Sequence, residues 1–246
     1  MADCDNIHAR RGRTRYPGLI DCKALTGFSP LSLSSLWFWG AARKEVAYAD
    51  TDLVPTFTDW SPSANDLTQA NAALQPAYNT GIINGQPALT FANDYMRLSA
   101  ASAGSNVTFF FVIQPSSAAF RGLWDTASGA GSTFRNYNTS NAEWHSNSPV
   151  FNMGIVATNK IMLTFVCSLA PARRIEFWKD GVSIGPYTHV STSAMVWNSF
   201  TLGAVNVGGG GYFPGYVAEV IICNSTLSDE DVISTHEYLN RYYALY

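Results

Sequence analysis

From residue 31 onward the apolar positions fall into short runs broken by Gly, Pro, Asn, Asp and Ser, and this spacing predicts strands. The clear runs are PALTFA (87–92), VTFFFVIQP (107–115), IMLTFVCSL (161–169) and RIEFWKDGVSIG (174–185). In the last, Asp180-Gly181 supplies a tight turn between two strand-like arms, the local chemistry of a hairpin. In GYVAEVIICN (215–224) alternation puts Tyr216, Ala218, Val220 and Ile222 on one face and Val217, Glu219, Ile221 and Cys223 on the other. With one face apolar and the other nearly so, this strand is expected to be covered on both sides.

One segment breaks the period of two. In STLSDEDVISTHEYLNRYYALY, Ser228 precedes Asp231 by three residues, and Val232, His236, Leu239 and Tyr243 follow at helical spacing. This predicts a single C-terminal helix over about 229–241, with its acids in the first turn, where the helix dipole favours them. Residues 1–30 carry no usable period, and HARRGRTRYPG followed by TGFSP reads as an extended arm. No repeat of propeller or solenoid length is present. The expected organisation is an arm over 1–30 and one β domain over 31–246.

Composition sharpens this picture. Charged residues are 13% and aromatics 13% of the chain, which suits a β protein whose surface is polar but uncharged. A net charge of −3 is too small to argue by itself for or against a nucleic-acid or membrane partner. The charge is uneven, because Arg10, Arg11, Arg13, Arg15 and Lys23 face Asp3, Asp5 and Asp21, leaving +2 on the first 23 residues and −5 on the rest. No run reaches the 18 or so apolar residues of a membrane span. The arginines have no apolar core behind them, so no signal peptide is read. Cys167 and Cys223 lie in apolar runs and read as buried free thiols, while the state of Cys4 and Cys22 stays open.

Three spaced motifs carry a resemblance: LSSLWFWGA (33–41), FTDWSPSANDLTQANAALQPAYNTGIINGQPALTF, and GYVAEVIICNSTLSDEDVISTHEYLNRYYALY. Together they resemble the laminin-G-like branch of the concanavalin A-like lectin/glucanase superfamily over roughly residues 31–246. The resemblance implies an all-β, two-sheet antiparallel jelly-roll sandwich with the extended N-terminal arm and one short C-terminal helix. It does not imply one function, since the fold hosts lectins, polysaccharide hydrolases, adhesion modules and virion proteins. The first strand lacks the aspartate common in the family, and Ser61 stands where an acid usually follows the corner tryptophan. The corner DWSPSANDLTQ is therefore read as structural, with Trp60 and Leu67 anchoring a turn that Asn65 and Asp66 cap.

Catalytic patterns are missing from the sequence. None of Glu45, Glu143, Glu176, Glu219, Glu230 or Glu237 starts the Glu-x-Asp-x-x-Glu strand of the family's hydrolases. HEYLN (236–240) has Asn240 where a zinc-protease helix needs its second histidine, so His236 reads as a helix residue near the core. GGGGY lacks the lysine and helix of a phosphate loop. What remains is a binding expectation. The stretch 121–147 is rich in aromatics for stacking on pyranose faces and in polar groups for hydroxyls, giving Trp124, Asp125, Arg135, Asn136, Tyr137, Asn138, Trp144 and His145 as carbohydrate-binding candidates. Asp50 and Asp52 are the calcium candidates; no other cofactor is expected. Arg10, Arg11, Arg13 and Arg15 are the candidate anchor, each offering a bidentate fork to an acidic protein surface or to nucleic acid.

These readings, with the resemblance, lead to an expected non-enzymatic virion or surface module, as in a phage particle or on an extracellular surface. The arm would dock onto other virion or surface proteins, in a homo-oligomer or larger assembly, and the jelly roll would be displayed outward toward host-surface glycans. The alternatives are a polysaccharide-degrading glycoside hydrolase and a purely structural cement protein.

Overall fold

The strands are β1 (Leu36–Ala41), β2 (Thr56–Phe57), β3 (Leu67–Thr68), β4 (Ala77–Gly81), β5 (Gly85–Phe91), β6 (Met96–Leu98), β7 (Val107–Pro115), β8 (Trp124–Asp125) and β9 (Thr133–Asn138). There follow β10 (Asn141–His145), β11 (Val150–Asn152), β12 (Ile161–Ser168), β13 (Arg174–Lys179), β14 (Val182–Thr188), β15 (Phe200–Leu202), β16 (Ala204–Val205), β17 (Gly211–Tyr212), β18 (Gly215–Cys223) and the helix α1 (Asp229–Tyr243). The computed structural model describes residues 27–99, 106–117, 122–126, 133–138, 141–145, 150–152, 159–168, 174–188, 199–205 and 211–246, with 133–152, 174 and 186–188 described as backbone.

Two antiparallel eight-stranded sheets form a sandwich, as the pattern of short strands requires. The first runs β14-β13-β12-β7-β18-β5-β4, with β1 also paired to β18; the second runs β11-β10-β9-β8-β15-β6-β3-β2. The four long runs read from the sequence are β5, β7, β12 and the β13–β14 hairpin. At the hairpin turn Asp180 (φ 50°) and Gly181 (φ 75°) both take positive φ, the conformation that matches a two-residue turn to the twist of its strands.

The first sheet has apolar cover on both faces, so its central strands alternate between two cores rather than between core and water. Phe109, Phe111 and Ile113 of β7 enter the sandwich with Trp124 and Leu202, while Phe110 and Val112 face the other way, under α1. Gly40 lets β1 approach the second sheet closely, since a Cβ there would collide with the ring of Phe57. In β18 the simple alternation fails. A register shift between Val217 and Glu219 adds one residue, so Val217, Val220 and Ile222 share the sandwich core while Ala218, Ile221 and Cys223 lie on the helix side. The expectation that both faces are covered holds; the assignment of Val220 and Ile222 to the face of Ala218 does not.

Helix α1 spans Asp229–Tyr243, two residues beyond the expected end. Ser228 is its N-cap: its Oγ accepts from the amide of Asp231 (3.2 Å) and donates to Asp231 Oδ2 (2.9 Å). Ala244, in the left-handed region at φ 45°, ends it, and the Asn84-Gly85 turn between β4 and β5 holds that end by donating from Asn84 Nδ2 to the carbonyls of Tyr243 (2.6 Å) and Ala244 (3.1 Å). Cys167 and Cys223 are buried free thiols, and burial pushes the Cys223 thiol up to about 12. Among the described residues no helix is long and apolar enough to cross a membrane. The arm residues Arg10, Arg11, Arg13 and Arg15, with Cys4 and Cys22, lie outside the described residues.

His236 shows how tightly α1 is seated. Its Nε2 is 2.9 Å from Thr164 Oγ1 of β12, and its ring meets Phe110 and Trp178 edge to face. Burial pushes its pKa down to about 3, so the folded protein holds it neutral while the unfolded chain protonates it near 6.5. The unfolded state then binds more protons throughout the window from pH 6.5 down to about 3, and stability falls as pH falls through it. Relative to His236→Gln, the wild type should lose about 2 kcal/mol of unfolding free energy between pH 7 and pH 5. Urea denaturation of both proteins across that range checks this; parallel pH profiles would refute it.

Candidate functional site

The site grows from the free edge of β1. Its other edge pairs with β18, but an outer row of amides and carbonyls needs partners, as on any sheet edge. The corner at 59–66 supplies them. Trp39 N donates to Asp59 Oδ1 (2.8 Å), Trp60 N donates to Trp39 O (2.8 Å), and Asn65 Nδ2 and Ser61 Oγ donate to Trp37 O (2.9 and 3.3 Å). Asp59 also accepts from Ser61 N, Ser61 Oγ and Asn65 N at 2.7–2.8 Å, and Asp66 Oδ1 accepts from Asp59 N at 2.7 Å. The corner is therefore a carboxylate-centred cap on an edge strand. Leu67 anchors it in the core, as expected. Trp60 does not: its backbone is fixed at the rim, and the residue is 39% exposed.

Past its C-terminal end β1 runs into a 3-10 turn, Ala42–Lys44, which carries two adjacent cations, Arg43 and Lys44. Lys44 Nζ lies 4.5 Å from the Trp39 ring centroid and 4.3 Å from that of Trp60. Arg43 reaches the opposite way, its Cζ 3.9 Å from the centroid of Tyr242 on α1, which is 40% exposed. Tyr238 bridges the two halves, with its ring 6.4 Å from Trp39 and 5.2 Å from Tyr242. The result is a strip with two exposed rings, Trp60 and Tyr242, at its ends, the buried rings of Trp39 and Tyr238 between them and two cations alongside, held by β1, the corner, the turn and α1.

Glu219 fixes the strip from below. This buried carboxylate accepts from Trp39 Nε1 (2.7 Å), Tyr243 Oη (2.8 Å), Tyr238 Oη (3.1 Å) and Arg43 Nε (3.2 Å), and Arg43 Nη2 also donates to Tyr238 Oη. Burial, reinforced by the Glu219 charge, raises the pKa of both tyrosines and keeps them as donors. Burial and the neighbouring Arg43 lower that of Lys44, against a smaller raising effect of Glu219.

No protein-family model matches the chain, and no curated protein matches it in sequence. Its fold is similar to that of solved β-sandwich domains. One is domain 4 of AbnA, a GH43 extracellular arabinanase from Geobacillus stearothermophilus, in complex with arabinotriose: 15% identity, TM-score 0.59, covering 82% of this chain and 98% of that one. Another is the botulinum neurotoxin serotype D binding domain: 13% identity, TM-score 0.56, covering 86% of this chain and 53% of that one, so that the chain spans about half its length. These likenesses bear on the fold.

The residues expected to bind sugar fare differently. Trp124 is fully buried, its ring stacked on Phe109 at 4.6 Å, and Asp125 is 4% exposed. Neither offers a face to a ligand: Trp124 enters the sandwich core, and Asp125, on the opposite face of the inner strand β8, is covered as well. Arg135, Asn136, Tyr137 and Asn138 fall on β9 and Trp144 and His145 on β10, an antiparallel pair with Arg135 opposite Glu143; their side chains lie outside the described residues. Asp50 and Asp52 serve their loop instead of converging on a cation: Asp50 Oδ1 accepts from Thr80 N (2.8 Å) and Oγ1 (3.1 Å), and Asp52 Oδ2 from Ala49 N (2.7 Å). No cluster of metal-ligating side chains occurs among the described residues. A polar cleft of about 460 Å³, lined by residues including Asn84, Lys160, Lys179 and Asp180, contains no aromatic ring.

Sequence reasoning missed Arg43, Lys44 and Tyr242. The signal was there in two adjacent cations directly after WFWGAA, in a chain with only 13% charged residues.

Glu219→Gln should lower the unfolding free energy by about 3 kcal/mol, since it leaves Arg43 facing a neutral partner in a half-buried setting. Trp60→Ala should change it by less than about 0.5 kcal/mol, because the ring lies at the surface. Equilibrium urea unfolding of the two variants separates support from surface; equal losses would contradict the division.

Proposed function

We propose that this chain is a non-enzymatic glycan-binding β-sandwich of a virion or other surface assembly. The observation that carries the reading is the strip itself: two exposed rings, Trp60 and Tyr242, set beside Arg43 and Lys44 on elements whose backbones are fixed. Flat aromatic faces stack on the apolar faces of sugar rings, and fixed polar donors orient the hydroxyls. The fold likeness to an arabinanase domain solved with arabinotriose and to a neurotoxin binding domain supports it, as does the laminin-G-like resemblance of the motifs. For the hydrolase alternative, a carboxylate pair must face a substrate. Of the four buried carboxylates among the described residues, Glu45, Asp59 and Glu219 accept from protein donors, and Asp125 is 4% exposed.

The test is a glycan array followed by calorimetry with the best binder. Trp60→Ala should weaken that binding at least roughly tenfold, a loss of about 1.4 kcal/mol, with the melting temperature unchanged. Undiminished binding by the variant would remove the strip as the site. Hydrolysis of any bound glycan, abolished by changing one carboxylate, would favour the enzyme alternative.

The assembly role rests on a different observation. Arg10, Arg11, Arg13 and Arg15 concentrate bidentate cations ahead of Phe28, whose ring packs edge to face on Tyr238 at 6.1 Å. Deleting residues 1–26 should abolish incorporation into the native assembly, seen by imaging of particles, while the sandwich still folds. Unchanged incorporation would exclude the arm as the anchor.

A further inference from the structure

Charge on the strip is unequally matched. Arg43 is paired with Glu219, whose carboxylate is enclosed by Trp39, Tyr238 and Tyr243. Lys44, one residue on, has no ion pair with any described residue. The acids nearest to it in sequence and at the corner face elsewhere: Glu45 accepts from Thr58 N (2.8 Å) and Oγ1 (3.2 Å), and Asp59 is filled by its own corner. An unmatched ammonium thus stands between two indole rings, one buried and one exposed. A neutral sugar laid on Trp60 would strip water from that ammonium and return only hydroxyl contacts. A sugar carrying a carboxylate or sulfate would return a charge-assisted hydrogen bond while its ring covers the indole.

Resting on the glycan-binding reading, we infer that the strip selects acidic glycans, with Lys44 pairing the anionic substituent and Trp60 stacking on the ring that bears it. Arg43 has a different part: its guanidinium is spent on Glu219 and Tyr238, so it positions the turn and leaves the ligand's charge to Lys44.

The experiment compares tetragalacturonate with its methyl ester, and chondroitin 4-sulfate with its desulfated, carboxyl-reduced form, alongside neutral arabino- and xylo-oligosaccharides, on wild type, Lys44→Gln and Trp60→Ala by calorimetry. An acidic probe should bind at least about tenfold more tightly than its neutral counterpart, and raising salt from about 0.1 to 0.5 M should weaken it. Lys44→Gln should lose roughly tenfold on the acidic probe and clearly less on the neutral one, so that the preference for acidic sugars collapses, whereas Trp60→Ala loses both alike. If neutral sugars bind as well as acidic ones, or Lys44→Gln leaves acidic binding intact, the inference falls and the glycan reading stands. If no probe of either kind binds, both fall. A melting temperature for each variant keeps loss of fold apart from loss of charge.

Discussion

A carboxylate buried between a sheet and a helix must be fully satisfied or expelled, because the desolvation cost of the charge runs to several kcal/mol. Glu219 meets that constraint with donors from three separate parts of the chain: Trp39 on β1, Arg43 on the turn after it, and Tyr238 and Tyr243 on α1. Each donor is useful only if its element is in register with β18. The helix therefore cannot slide along the sheet without leaving the carboxylate short of partners, and β1 cannot slip past β18 without withdrawing Trp39. Apolar contacts such as Val232, Leu239 and Ile221 supply the bulk of the attraction between α1 and the sheet but tolerate small shifts. The carboxylate supplies the position.

The same logic, polar groups fixing what apolar packing only attracts, recurs at the ends of this layer. Asp59 fixes the corner by gathering four donors, and through Trp39 N it ties that corner to the strand that feeds Glu219. Asn84 fixes the last turn of α1 from the β4–β5 hairpin. His236, by contrast, gives the helix interface a dependence on pH. It is held neutral by burial, so acid withdraws part of the helix's support.

How much of this was legible in the sequence follows from how local each signal is. The long strands of the first sheet, the Asp180-Gly181 turn and the Ser228 cap are set by residues within a few positions of one another, and they could be read. Most strands of the second sheet are two or three residues long, too short for any period to appear: Thr56–Phe57 and Trp124–Asp125 become strands because of what they pair with. The phase of β18 was misread because one extra residue near Val217 inverts every later side chain, and no local composition marks it. Trp124 was misread for a related reason, since an aromatic among Gly, Ser and Asn looks like a loop platform until the partner strand that buries it is known. The corner motif was correctly read as structural, but its centre is Asp59 and its tryptophan is the one part left over for the surface.

That leftover is the link between architecture and surface chemistry. Stacking and charge recognition are worth most when the groups involved lose little freedom on binding. Trp60 is held at its backbone by Trp39, Lys44 lies against two rings, and Tyr242 is one residue from a tyrosine fixed on Glu219, so each arrives at the surface already constrained. Arg43 shows the converse: paired below, it gives the strip rigidity and little free charge. In a chain so poor in charge, one cation left unmatched among aromatic rings contrasts sharply with its surroundings, and the pairing of Arg43 with Glu219 is what leaves Lys44 as that cation.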